Sequence, residues 1–344
     1  MTGITPFEKD IAEQPAALRR LANSGLPDLS SIPSVRYDRI VFTGMGSSDY
    51  SSIPSWRRLL ARGLPVWTID TGQLLDNLDL ITPTTLLVAT SQSGASGEIV
   101  ALVEHISTRR IKPLLLIGIA DEPTSPLASA ADLFLPLSSG PEATVSTKSY
   151  LNTIGVHRYF IAAFTGEDRD LVTEELLRTA DTVHKIINTV DVTAIAAVAA
   201  THPRRRLAYV GRGDEAATAQ FAGLITKESS KVPAEGFIGG QFRHGPFELA
   251  GDGLTAVVFG LTQNNPDQSL LLLSRDLIAA GSSLVIVGDH EMDGAITVPV
   301  GGTSALESLA ASTVVAELFA VGLARANGVV PGEFLYGSKI TKAL

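Results

Sequence analysis

A run of apolar residues, Leu86–Thr90, ends directly in Ser91-Gln92-Ser93-Gly94-Ala95-Ser96-Gly97-Glu98, and a helical pattern begins at once. Serine hydroxyls and free backbone N–H groups at the start of a helix suit an anion. They donate hydrogen bonds without adding charge or bulk, where the helix dipole already favours negative charge. A second loop of this kind, Gly44-Met45-Gly46-Ser47-Ser48, follows another apolar run, so two serine-bearing loops can converge at one sheet edge. Ligands of open parallel sheets bind at the carboxyl ends of the strands. The G-x-G lacks the third glycine and the downstream acid of a dinucleotide fingerprint, so a sugar phosphate fits better than NAD. The competing reading has no ligand: Ser93 or Ser96 simply caps the helix.

Such loops need a sheet to hold them, and the composition allows one. At 344 residues the chain is long enough for two α/β domains, with 45% apolar and 18% charged residues. With 36 acidic and 27 basic residues the net charge is −9, which disfavours nucleic acid or an anionic membrane as partner. There is no cysteine, so disulfides, thiolate metal sites and a cysteine nucleophile are excluded. Glu8, Asp10 and Glu13 stand where a signal peptide would need an apolar stretch. No apolar run approaches the roughly 20 residues of a membrane span. The expectation is a cytoplasmic protein.

Short β-branched runs alternate with longer helical patterns, the signature of parallel sheets with crossover helices. Strands are expected at Arg39–Thr43, Pro65–Ile69, Leu86–Thr90, Pro113–Gly118, Leu133–Leu137, Leu207–Gly211, Thr255–Gly260, Ser283–Gly288 and Ile296–Val300. Helices are expected at Ser51–Ala61, Gly97–Thr108 and Ala305–Ala326, with a long helical stretch over 146–200 broken near Gly166 and Asp191. The two halves read as one unit used twice. VFTGMGSS at 41–48 is similar to YVGRGDEA at 209–216, and LLLIGIADEPTSPLASAADLFLPL has a shorter counterpart in LVIVGDHEMDGAITVPV. Thr201-His202-Pro203 and Arg204–Arg206 mark the boundary between them.

Taken in order, EQP at 13–15, GMGSS at 44–48, SQSG at 91–94, VSTK at 145–148, GRGD at 211–214, KESS at 227–230, AE at 234–235, RHGP at 243–246 and SKIT at 338–341 resemble the double-SIS (sugar isomerase) family. The resemblance is to the isomerase half of glucosamine-6-phosphate synthase and its stand-alone relatives, and it covers nearly the whole chain. It implies an α/β fold of two tandem SIS domains, each a parallel sheet flanked by helices on both faces. The expected division is an N-terminal helix and linker (1–35), a first SIS domain (36–200), a second (201–330) and a tail closing over the active site (331–344).

The resemblance also implies roles. Ser48, Ser91, Gln92, Ser93 and Ser96 fall on sugar-phosphate ligands, and Thr147 on the lining of the same pocket. Glu228 falls on the acid–base glutamate that moves a proton between C1 and C2, and His244 on a ring-opening histidine donated by the neighbouring subunit of a homodimer. Lys339 falls on the tail lysine that closes over the substrate. The chemistry asks for these types: a carboxylate in a partly desolvated pocket can remove and return a proton, and histidine shuttles one near neutrality. A tail lysine offsets phosphate or enediolate charge. No cofactor is expected. No metal site is expected either, since His105, His157, His184, His202 and His290 lack ligand spacing.

Two residues depart from the synthase pattern. Ile225 stands where a lysine precedes the glutamate by one helical turn, and Ala95 stands where SQSG is usually followed by glutamate. Together with the lack of a glutaminase cysteine, these point away from glutamine-dependent amination. They favour a phosphosugar isomerase or amino-sugar-phosphate deaminase, with a fructosamine-6-phosphate deglycase or a non-catalytic sugar-phosphate sensor as alternatives.

Overall fold

Residues 3–32, 36–264 and 266–341 are described by a computed structural model. In chain order, α1 (Pro6–Ala22) precedes β1 (Arg39–Gly44), α2 (Ser47–Tyr50), α3 (Ile53–Leu60), β2 (Val66–Asp70), α4 (Thr71–Asp76) and β3 (Thr85–Thr90). Then come α5 (Gly97–Ser107), β4 (Leu115–Ala120), α6 (Pro126–Ala130) and β5 (Leu133–Pro136). The five strands form an all-parallel sheet in the order β2-β1-β3-β4-β5. Every residue of the central β3 is buried, which is why it reads as an unbroken apolar run. Val41, Leu87, Ala89, Leu116 and the inward residues Ile99 and Leu102 of α5 make the core on one face.

Three helices follow, α7 (Lys148–Thr165), α8 (Arg169–Thr189) and α9 (Thr193–Thr201). The second sheet is built from β6 (Arg206–Gly211), α10 (Glu215–Ser230), β7 (Glu235–Ile238), β8 (Leu254–Leu261), α11 (Gln268–Ala279), β9 (Ser283–Gly288) and β10 (Ala295–Val298), and α12 (Ala305–Ala326) follows. Its order is β10-β9-β8-β6-β7, again all parallel. Read from the other edge this is 7-6-8-9-10, the first sheet's 2-1-3-4-5 with five added. The repeat inferred from the two G-x-G segments is thus a repeat of topology: β1 matches β6 and β4 matches β9.

The chain divides into two compact units that are not contiguous in sequence. The first sheet belongs to a unit of Ala16–Glu142, Lys148–Leu177 and Tyr336–Leu344, here the serine-loop unit. The second comprises Met1–Pro15, Ala143–Thr147 and Arg178–Leu335. In that second unit Gln14 of the EQP motif is buried and donates through Nε2 to Glu317 Oε2 of α12 at 2.5 Å.

Several expectations shift. The helix foreseen over Ser51–Ala61 starts earlier and is broken in two, α2 and α3, so Ser48 lies inside a helical turn. The strand foreseen over Ile296–Val300 ends at Val298, before Pro299, which has no N–H for a ladder. β7 and α11 were not foreseen. The four-residue β7 lies at a sheet edge and carries Gly236, where a Cβ would come within 2.2 Å of the Ala219 carbonyl of α10, so the close strand–helix approach requires glycine. The reading that no segment is apolar enough to span a membrane is corrected. α12 has the length and composition, but 89% of its most apolar window is buried inside the protein, where it packs on α10 and α9.

Candidate active site

In a 2-1-3-4-5 sheet the chain leaves β1 towards one edge and β3 towards the other, which opens a crevice at their carboxyl ends. Both serine loops lie at that crevice. A Cβ on Gly44 would stand 3.0 Å from the Ser48 carbonyl carbon and 3.0 Å from the Thr90 carbonyl oxygen, so the end of β1, the start of α2 and the end of β3 touch through backbone.

The second loop is held from both sides. The Ser91 amide donates to the Ile119 carbonyl at 3.0 Å, extending the β3–β4 ladder, and the Gly94 amide closes a turn onto the Ser91 carbonyl at 3.0 Å. Gly94 has a φ of +63°, and a Cβ there would meet Ser125 Oγ at 2.2 Å. Only glycine fits that corner. Ser93 Oγ accepts the Ala95 amide at 3.2 Å, a local turn contact. Ser96 is the N-cap residue of α5, yet its side chain makes no capping hydrogen bond. The capping reading therefore does not account for Ser96.

An open cleft of about 1420 Å³ adjoins this loop within the serine-loop unit. Gln92, Ser93, Ala95, Asp121, Glu142 and Lys339 line it, with Arg19 and Arg20 of α1. The C-terminal segment crosses the unit here. Lys339 Nζ meets Glu142 Oε2 at 2.5 Å, and the Thr341 carbonyl accepts the Gly97 amide at the start of α5 at 3.0 Å. The Glu142 side chain is 0% exposed. Burial acts to raise its pKa, but the Lys339 charge and hydrogen bonds from Lys339 and Ser149 outweigh it and hold the carboxyl below its ordinary range. At Asp121 burial wins over two hydrogen bonds from Ser139, aided by the nearby Glu142 charge, and the pKa is raised. Burial likewise lifts Asp49, next to Ser48, to about 6 against the Thr68 hydrogen bond, with Asp70 adding to the rise.

Of the residues singled out in the sequence, Ser48, Ser91, Gln92, Ser93, Ser96 and Lys339 belong to the serine-loop unit, whereas Thr147, Glu228 and His244 belong to the second. Thr147 is fully buried. Glu228 is half-buried in the last turn of α10, and its backbone carbonyl accepts Lys231 Nζ. His244 is exposed at the end of a 3₁₀ turn over Gly239–Arg243, beside Arg243, which pairs with Asp276 at 2.6 Å. Sequence reasoning missed Asp121, Glu142 and Arg20. The only available cue for Glu142 was its place just ahead of VSTK. Among the described residues no group of three or more His, Asp or Glu side chains is arranged to hold a metal.

In the second sheet the position matching Ser48 is Glu215, at the start of α10. Its Oε1 accepts Ser312 Oγ at 2.9 Å while Oε2 is buried with no hydrogen-bond partner among the described residues, and burial raises the carboxyl to about 7. The matching strand ends thus present different chemistry: hydroxyls in the first sheet and a buried carboxyl in the second.

Comparison with known proteins agrees with this architecture. Residues 35–163 match the family model described as the SIS domain. Glutamine–fructose-6-phosphate aminotransferase [isomerizing] of Thermococcus kodakarensis is 26% identical over 296 residues, covering 82% of this chain and 48% of that protein. The chain thus spans about half the length of the curated relatives it matches. Among solved structures, the C-terminal domain of glucosamine-fructose-6-phosphate aminotransferase from Francisella tularensis superposes with a TM-score of 0.85 at 18% identity, covering 96% of this chain and 99% of that one. Glucosamine-6-phosphate deaminase from Thermotoga maritima superposes at 0.74 with 19% identity, covering 98% and 99%. Residues 35–163 thus match the SIS domain, and the chain is similar along 82% of its length to part of the isomerizing aminotransferases.

Proposed function

We propose that this protein is an enzyme that binds a hexose 6-phosphate, an amino sugar in particular, and moves a proton between C1 and C2 as an isomerase or deaminase. The observation that carries the reading is the meeting of the two serine loops at the β1/β3 crevice, with Lys339 lining the cleft that adjoins the second of them. Ser48, Ser91, Gln92, Ser93 and Ser96 take the phosphate, aided by amides at the start of α5. Thr147 lines the pocket, Glu228 is the acid–base group, and Lys339 balances the negative charge that develops on the sugar.

In this reading the second sheet is a second SIS domain, with 1–35 a helix and linker, 36–200 and 201–330 the two domains, and 331–344 a closing tail. The same strand order in both sheets supports the tandem arrangement. His244 opens the sugar ring from a neighbouring copy in a homodimer. Its exposure, in a segment flanked in sequence by the exposed apolar Ile238 and Leu249, favours that role, because a base on an open surface needs a second surface to exclude water. The aliphatic Ile225, fully buried one turn before Glu228, leaves no ammonium there and supports release of ammonia over its incorporation.

The test is incubation with glucosamine 6-phosphate, with fructose 6-phosphate plus ammonia, and with a fructosamine 6-phosphate, following ammonia and sugars by NMR. Ammonia release from the first identifies a deaminase, and aldose–ketose exchange without ammonia an isomerase. Binding of sugar phosphates with turnover of none would refute the enzyme reading and leave a sensor.

A further inference from the structure

Glu142 and Lys339 are 197 residues apart in sequence, and the carboxylate that joins them is also held by Ser149. The Ser149 amide in the first turn of α7 donates to Glu142 Oε1 at 3.1 Å, and the Ser149 hydroxyl donates to Oε2 at 2.6 Å. The carboxylate is thereby aimed at a fixed point of the cleft wall. Lys339 keeps 23% of its side chain exposed, whereas that of Glu142 has none, so the ammonium is the solvent-facing end of the pair. A second tether lies two residues on, where the Thr341 carbonyl takes the Gly97 amide at 3.0 Å. Between the two, Lys339 and Ile340 face the same cleft as Gln92 and Ser93.

We propose that Glu142 is the positioning residue for Lys339: its buried carboxylate holds the tail across the serine-loop cleft and fixes where the ammonium sits. The proposal rests on the reading above that Lys339 serves the reaction. A lysine on an unanchored tail would spread its charge over many rotamers, about 2 kcal/mol of entropy at the side chain alone, and would have to be gathered in each turnover. The fixed carboxylate does that gathering in advance. A substrate group that takes over part of the ammonium's bonding meets it already in place.

The test uses the full chain and Glu142→Gln, Glu142→Asp and Lys339→Met. Trypsin cleavage after Lys339, followed by intact mass, reads how often the tail opens. Loss of a charge-assisted bond of this kind predicts cleavage of Glu142→Gln about 10- to 100-fold faster than wild type, with Glu142→Asp in between. Hydrogen exchange at the Gly97 amide gives a second readout. It accelerates in Lys339→Met, whose change lies at the partly exposed end and leaves the Ser149–Glu142 bonds intact. With glucosamine 6-phosphate, Glu142→Gln lowers kcat more than it raises KM. Cleavage and exchange at wild-type rates in these variants would overturn the proposal. Faster cleavage with full turnover by Lys339→Met would instead overturn the role of Lys339 in the reaction, so the two failures are distinguishable.

Discussion

Gly94→Ala isolates what holds the serine loop in shape. Two costs are visible at this corner. Gly94 has a φ of +63°, where an L side chain costs about 1–2 kcal/mol. The new methyl would also sit 2.2 Å from Ser125 Oγ and 2.6 Å from Ser125 Cβ, inside contact distance, and forced overpacking costs about 1–3 kcal/mol. The sum, about 2–5 kcal/mol, is large against the net stability of a domain. At about 3 kcal/mol the melting transition of the serine-loop unit falls by roughly 6–12 °C. The two costs separate in a double-mutant cycle. Ser125→Gly removes the obstructing side chain, and although Ser125 caps α6 by accepting the Ala128 amide at 3.2 Å, glycine at a cap loses only about a few tenths of a kcal/mol. Gly94→Ala/Ser125→Gly should therefore recover about 1–3 kcal/mol in urea denaturation, leaving the φ cost. Affinity for glucosamine 6-phosphate, measured by calorimetry, should follow the same order. Wild-type stability of Gly94→Ala, or a double variant no better than the single, would refute this account of the corner.

Other consequences can be measured directly. Glu228→Gln should lower kcat by about 10²- to 10⁴-fold while calorimetric binding of the sugar phosphate stays near wild type; equal loss of both would make Glu228 structural. Mixed dimers of Glu228→Gln and His244→Ala, each inactive alone, should regain activity through one intact composite site, and no recovery would argue against donation of His244 between copies. Glu215 makes a pH prediction. Its carboxyl keeps its proton to about pH 7 in the folded protein, against an ordinary value of 4.5, so the stability it contributes is full below 4.5 and is lost as pH rises through 7. Glu215→Gln should flatten that loss by about 2–4 kcal/mol between pH 5 and pH 8 in urea denaturation.

The parts of the fold legible in the sequence are those whose periodicity and burial agree. β3 is buried along its whole length and reads as an apolar run, and α12 runs over Ala305–Ala326 as expected because its apolar pattern is long and starts at a serine cap. The breaks near Gly166 and Asp191 fall between α7, α8 and α9. What failed to show has a local cause. EGFI in β7 is too short and too exposed to alternate, and α11 packs its run of leucines against β8 and β9 without a distinctive period. The serine loops were visible because glycine and serine at a strand end are unusual and local. Glu142 was not, because its meaning lies in a partner 197 residues away.

That distance bears on how the molecule is made. The serine-loop unit is assembled from three stretches of chain, and the last of them, which carries Lys339, follows the whole of Arg178–Leu335. Loop-closure entropy rises only slowly with length, so the long detour costs little at equilibrium. Contacts of such high sequence separation nonetheless form late in folding. During synthesis the first sheet can be complete, with both serine loops shaped, well before Lys339, which lines the cleft, has been translated. Excising residues 16–177 as a minimal domain would reproduce that half-built stage: a serine loop without the tail bound at Gly97, and a carboxylate at 142 without Lys339.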